Sequence, residues 1–277
     1  MKSSKLKLFV LVFIVVAVVC MRRIHCSLNT FHFPSYAKED ITHIIDDKNA
    51  SDSDMEFVFE QTGVCPQIAR ELIKSYDTEI LLTLNERYFK EPENKRNYIF
   101  FPLTAEETNT SSCTPLVPLK DGDILVTFNT HTCDWRHGHA AIVTDAESGE
   151  ILEHLSIGNV SDLGYARQWG RYPSFAVLRY PDEELAAKAA AYARESLVGV
   201  DYNILAGVVK KDKSDEAIPS SSHCSHIVWQ AYKSQGVDID IDKGMIVTPH
   251  DIAMSDKLCV VQIFGLDCSA YQDRIMK

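Results

Sequence analysis

The sequence predicts an α+β domain, and three observations carry that expectation. Short segments rich in β-branched and aromatic residues run from 123 to 180 with turn chemistry between them. Helical patterns follow these strands and also precede them, so strands and helices are segregated rather than strictly alternating. Of the 277 residues, 45% are hydrophobic and 24% charged, which is enough apolar material to bury a core. The net charge is −11. Positions 1–26 hold five basic residues and no acid, so the remainder sets 23 basic residues against 39 acidic ones. A body this acidic repels phosphate backbones, which excludes a general nucleic-acid binder.

Residues 1–26 read as a signal peptide or an uncleaved membrane anchor. Three lysines precede an unbroken apolar run, Leu8 to Met21, closed by Arg22 and Arg23. Fourteen helical residues reach about 21 Å against a hydrocarbon core of about 30 Å, which suits a signal h-region better than a full span. The expected location is therefore extracytoplasmic, secreted or membrane-anchored. The eight cysteines form no CxxC pair, which removes the common zinc-ribbon and thioredoxin readings. In an exported chain Cys26, Cys65, Cys113, Cys133, Cys259 and Cys268 are candidates for disulfides whose pairing the spacing does not assign. Asn49, Asn109 and Asn159 open glycosylation-type triplets.

Residues 27–54 are polar and acidic and read as a linker. A helical accessory region is expected over 55–112. Pro66 suits a first helical position, and Ile68, Ala69, Leu72, Ile73 and Tyr76 share one face. Thr78 is placed to cap a second helix carrying Leu81, Leu84 and Tyr88. Residues 91–118 are polar. The catalytic domain is expected over 113–265. Strands are read at 123–128, 138–145, 150–156 and 174–180, with a hairpin turn at 146–149. An alanine-rich helix at 183–196, a helix at about 223–234 and a last strand at 258–264 follow. Residues 266–277 read as a tail.

The chemistry centres on Cys224. Ser220 to Ser222 are N-cap candidates ahead of it, and Cys224, Ile227, Val228 and Ala231 recur at helical spacing. A helix N-terminus favours the thiolate, and its free N–H groups can stabilise an oxyanion. A buried inert thiol would have the same spacing. A cysteine nucleophile needs a base and a group that orients that base. His139 opens an apolar strand directly after Gly138. Glu153 and His154 lie on the next strand, where alternation lets only one of them face His139. One residue more or less in the turn exchanges them.

LKDGDILVTF (119–128), GHAAIVTD, ILEHL, GVDYN (199–203), HCSHIVWQAY (223–232) and VTPHDI (247–252), in that order, resemble the permuted papain-like cysteine hydrolases. The resemblance is to the YiiX/YebB-like relatives of the NlpC-type cell-wall peptidases, and it spans residues 118–264. It implies a small antiparallel β-barrel or sheet packed on helices, with Cys224 as nucleophile, His139 as base and Glu153 as third member; His154 is the alternative. Two positions depart from the pattern: His226 stands where the group carries an acid, and His154 where a small residue is usual. Tyr202 is placed to line the cleft or to pack.

The implied activity is hydrolysis of peptide or amide bonds through a thioester. A cell-envelope peptide is the substrate the resemblance favours, and no metal or organic cofactor is required. Lecithin:retinol acyltransferase-like relatives make a lipid acyl substrate the first alternative, with attachment to a membrane through the N-terminus. A metal-dependent hydrolase built on His131, Cys133, Asp134, His137 and His139 is the second. An inactive binding module is the third.

Overall fold

The computed structural model describes residues 10–20, 31–47, 49–91, 94–100, 103–108, 113–132, 135–206 and 218–276. Residues 10–20 are helical with their apolar side chains exposed. Among the described residues no helix is long and apolar enough to cross a membrane.

The chain continues through helices α1 (Thr42–Ile45), α2 (Asp52–Thr62), α3 (Pro66–Ser75) and α4 (Glu79–Tyr88). Local chemistry sets several of these boundaries. Ser51 and Asp54 form a capping box at the start of α2, and Pro66 occupies the first turn of α3. Tyr76, expected on the buried face of α3, instead caps it in the left-handed region and is 73% exposed. Thr78 makes no side-chain cap hydrogen bond. Strands β1 (Asn94–Phe100) and β2 (Leu103–Thr108) then pair antiparallel inside the polar stretch 91–118.

The central sheet is built from β3 (Ile124–Thr127), β6 (His139–Asp145), β7 (Glu150–Glu153), β8 (Asp162–Tyr165), β9 (Phe175–Arg179) and β12 (Cys259–Phe264). Its order is β12-β9-β3-β6-β7-β8, antiparallel throughout. The first and last strands do not pair, so the sheet is open rather than closed into a barrel. The short strands β4 (Thr130–Thr132) and β5 (Trp135–Arg136) join β1 and β2 in a second sheet, while β10 (Asp201–Tyr202) and β11 (Ser221–Ser222) form a parallel pair. Helices α5 (Glu183–Ser196), α6 (Cys224–Lys233) and α7 (Pro249–Ala253) complete the fold.

Alternation along the strands divides the core between two faces. Ile124, Val126, Ala140, Ile142 and Leu152 pack with Ala189, Ala193, Ile227 and Val228 of α5 and α6. Leu125, Ala141, Val143 and Ile151 pack with Met55, Ile68, Leu72, Leu81 and Leu84 of the N-terminal helices. Burial on both faces explains why β3, β6 and β9 read as nearly continuous apolar runs.

This arrangement changes two segment assignments, the linker and the tail, and gives the helices between them a place on the sheet. Residues 31–54 are more than a linker: Phe31, Ile41 and Ile44 enter the core, and the His32 N–H donates to the Gly265 carbonyl. The helices of 55–112 cover one face of the sheet, and Gly63 and Cys65 hydrogen-bond to Ile263 and Val261 along the edge of β12. The last residues are no free tail, since Tyr271 is buried and Arg274 donates to the carbonyls of Ala253 and Ser255. In 31–54 and 266–277 the apolar residues among the polar ones are too sparse to show a period, so only tertiary packing reveals their role.

Leu84 reports on this shared core. Leu84→Ala should cost about 2–5 kcal/mol, as large-to-small changes at buried sites do. Urea unfolding should show one transition carrying the whole loss. Two transitions, only one of them shifted, would separate the helices from the sheet.

Candidate active site

His139 owes its position to the residue before it. Gly138 has φ +78°, and a Cβ there would sit 2.7 Å from the Thr127 carbonyl oxygen, so glycine is needed for the chain to turn into β6 against β3. His139 then pairs with Thr127, and its ring stacks on Trp169 at 5.3 Å between centroids. The turn at 146–149 joins β6 and β7 in a register that sets Glu153 opposite Ala141, two residues along from His139 and on the same face. The Glu153 Oε2 lies 2.9 Å from the His139 Nε2. Gly164 of β8 leaves room for that carboxylate, since a Cβ there would approach Oε1 to 2.8 Å.

Cys224 is the first residue of α6 and is 7% exposed. The helix is capped by His223 rather than by the preceding serines, and Ser221 and Ser222 are taken up in β11. Pairing of β10 with β11 lays Tyr202 beside Ser222, and the Asn203 N–H donates to the Ser222 carbonyl at 2.6 Å. The GVDYN segment therefore braces the approach to Cys224.

With Nε2 held by Glu153, Nδ1 is the nitrogen left for the thiol. Burial alone would keep the His139 ring neutral, but its contacts with Cys224 and Glu153 push its pKa up to about 10. Burial alone would likewise raise the thiol, and His139 and His223 beside it hold it well below the ordinary thiol range. Both directions favour a thiolate–imidazolium pair at neutral pH. The pair titrates as a unit.

His154 is turned elsewhere. It is buried, its ring packs edge-on against Tyr202 at 4.9 Å, and its Nε2 donates to the Asn159 carbonyl at 3.4 Å. Burial lowers its pKa. Tyr202 thus packs on this histidine, and burial, with the nearby Cys224, raises its phenol. His226 shares a hydrogen bond with the Ser222 hydroxyl at 2.9 Å.

The histidines considered as a metal cluster have separate partners. His131 Nε2 and Glu106 Oε1 are 3.1 Å apart, Arg136 also grips that carboxylate, and His137 donates from Nδ1 to the Gly138 carbonyl. Cys133 and Asp134 lie outside the described residues. Among the described residues one acidic group, Asp240, Asp242 and Asp251, brings its oxygens within 4.8 Å of one another, and it shares no residue with the thiol site.

Of the cysteines considered for disulfides, Cys65, Cys113, Cys259 and Cys268 are free thiols, and Cys26 and Cys133 lie outside the described residues. The Cys268 thiol instead hydrogen-bonds the Tyr88 hydroxyl at 2.7 Å. Two residues of the site had no reading in the sequence. Trp169 had no signal, because its contact with His139 depends on how 166–171 folds over the strand. His223 could have been read as a cap, since its neighbour in sequence is the nucleophile candidate.

The chain matches no family model, no curated protein and no solved structure.

Proposed function

We propose that this protein is a cysteine hydrolase that cleaves amide or peptide bonds through a thioester at Cys224. One observation carries the reading: the Glu153 carboxylate lies 2.9 Å from His139 Nε2, and that strand-start imidazole and the helix-start thiol of Cys224 each favour the other's charged form. Cys224 attacks the carbonyl carbon as thiolate. His139 then gives its proton to the leaving amine and afterwards draws one from the water that opens the thioester. Glu153 holds the tautomer and steadies the imidazolium. First-turn N–H groups of α6 other than that of His226, which His223 takes, lack helical acceptors and are the backbone donors available to the developing oxyanion charge. The order of His139 before Cys224 supports a permuted papain-like fold, and an exported or membrane-tethered location suits the N-terminal apolar run.

A lipid acyl substrate is the second reading, favoured by the exposed apolar side chains of residues 10–20. It uses the same thioester and differs in whether water or a lipid accepts the acyl group.

The test is labelling with a thiol-reactive acyl probe followed by mapping of the modified residue. Label on Cys224 that disappears in His139→Ala supports the reading, and label on any other cysteine overturns it. The pH profile gives a separate check. The rate of amide hydrolysis should fall as pH rises through about 10, where His139 loses the proton the leaving amine needs. Alkylation of Cys224 should not fall there, because the thiolate persists. A rate that instead first appears near the ordinary thiol range would show that no ion pair forms.

A further inference from the structure

We infer that His223 is a second catalytic group of this site, its Nε2–H donating to the oxyanion formed when Cys224 attacks a carbonyl; this rests on the thiol-hydrolase reading. His223 caps α6 by an uncommon route. Its Nδ1 accepts the backbone N–H of His226, 3.4 Å away, in place of the serine, threonine or aspartate oxygen usual there. That contact fixes the tautomer. A nitrogen that accepts an N–H carries no proton of its own, so in the neutral ring the proton sits on Nε2.

The Ser225 hydroxyl has one proton, which can go to the same Nδ1 at 3.3 Å or to the Val247 carbonyl at 2.8 Å, so it is the His226 N–H that assigns Nδ1 as the acceptor. Nε2 is therefore a donor. It is buried in a residue only 6% exposed, and it meets no hydrogen-bond partner among the described residues.

A buried N–H without a partner is costly, so its retention calls for an explanation. Here the explanation is next door, because His223 directly precedes Cys224 and favours the ionised form of its thiol. Negative charge arises at this place twice. It sits first on Sγ. When Sγ bonds the carbonyl carbon, the carbonyl π pair moves to oxygen, and collapse of that oxyanion expels the leaving group. A donor held in place by the cap needs no reorganisation as that charge passes from sulfur to oxygen.

Two reagents separate the roles. Iodoacetamide alkylates Cys224 by direct displacement, with no oxyanion. p-Nitrophenyl acetate acylates it through a tetrahedral oxyanion and releases p-nitrophenolate. His223→Ser keeps a good helix cap and removes the donor; His223→Thr repeats the test with a second cap if the first variant is unstable. Acylation should slow by about 10²–10³-fold, the usual effect of losing one oxyanion donor, with alkylation slowed far less and the melting temperature nearly unchanged. An equal fall in both rates would confine His223 to the thiolate, and no fall in either would leave it a cap alone; each overturns the inference. The parent reading fails differently, with wild-type Cys224 reacting no faster than a simple thiol toward both reagents and His139→Ala making no difference.

Discussion

Cys224→Ser should lose hydrolysis by at least about 10⁴-fold, the scale on which removing a nucleophile from a catalytic triad acts. The two side chains are close in size, so the substitution isolates chemistry from packing. A hydroxyl in this place would not ionise against His139, and the thiolate–imidazolium pair that both groups now favour would be gone. The helix should survive, since position 224 is the first turn of α6, its cap is on His223, and serine is accepted near helix starts. Circular dichroism and thermal melting of the variant should therefore match the wild type while turnover disappears. The opposite pattern, retained turnover with a destabilised fold, would make Cys224 a packing residue. Ile227 controls for that case, because it is fully buried one turn along the same helix and has no polar atom. Ile227→Ala should lower stability and leave the reactivity of the remaining folded fraction at Cys224 intact.

How much of this arrangement was legible depended on the range of the interactions involved. The strands from 124 to 179 and the helices α5 and α6 could be read because local alternation and helical spacing specify them. The pairing of His139 with a residue near 153 followed from strand order and one hairpin. The choice between Glu153 and His154 did not, because it turns on whether four residues or five close the loop. The structure closes it with four, 146–149, and accommodates an irregularity between Val143 and Asp145.

The N-terminal helices showed their amphipathic faces in the sequence but not their partner, since a helix face says nothing about which sheet will cover it. Phe31 and Tyr271 are more distant still. Each enters the core from a segment that looks polar, and nothing within ten residues of either specifies the contact. Trp169 belongs with them, a ring brought onto His139 from thirty residues away by a turn of 3₁₀ helix.

Glu153→Gln should slow hydrolysis by about 10²–10⁴-fold, because it reverses which nitrogen of His139 carries the proton. As a carboxylate Glu153 can only accept, so Nε2 must donate and Nδ1 is left to exchange a proton with the thiol. Glutamine offers an N–H to the same nitrogen. That stabilises the tautomer with its proton already on Nδ1, the wrong form for taking one from Cys224. Loss of the carboxylate charge also removes one of the contacts that raise the imidazole, so the alkaline limb of the pH–rate profile should move below its value of about 10 in the wild type. That displacement separates an orienting role from a structural one, since a merely loosened β7 would reduce the rate without shifting the limb. His154→Ala is the comparison. Its ring packs against Tyr202 and its nitrogen faces the Asn159 carbonyl, so its removal should cost stability at the β7 end and leave both the limb and most of the rate in place. A larger rate loss in His154→Ala than in Glu153→Gln would overturn the assignment of Glu153 as the group that orients His139.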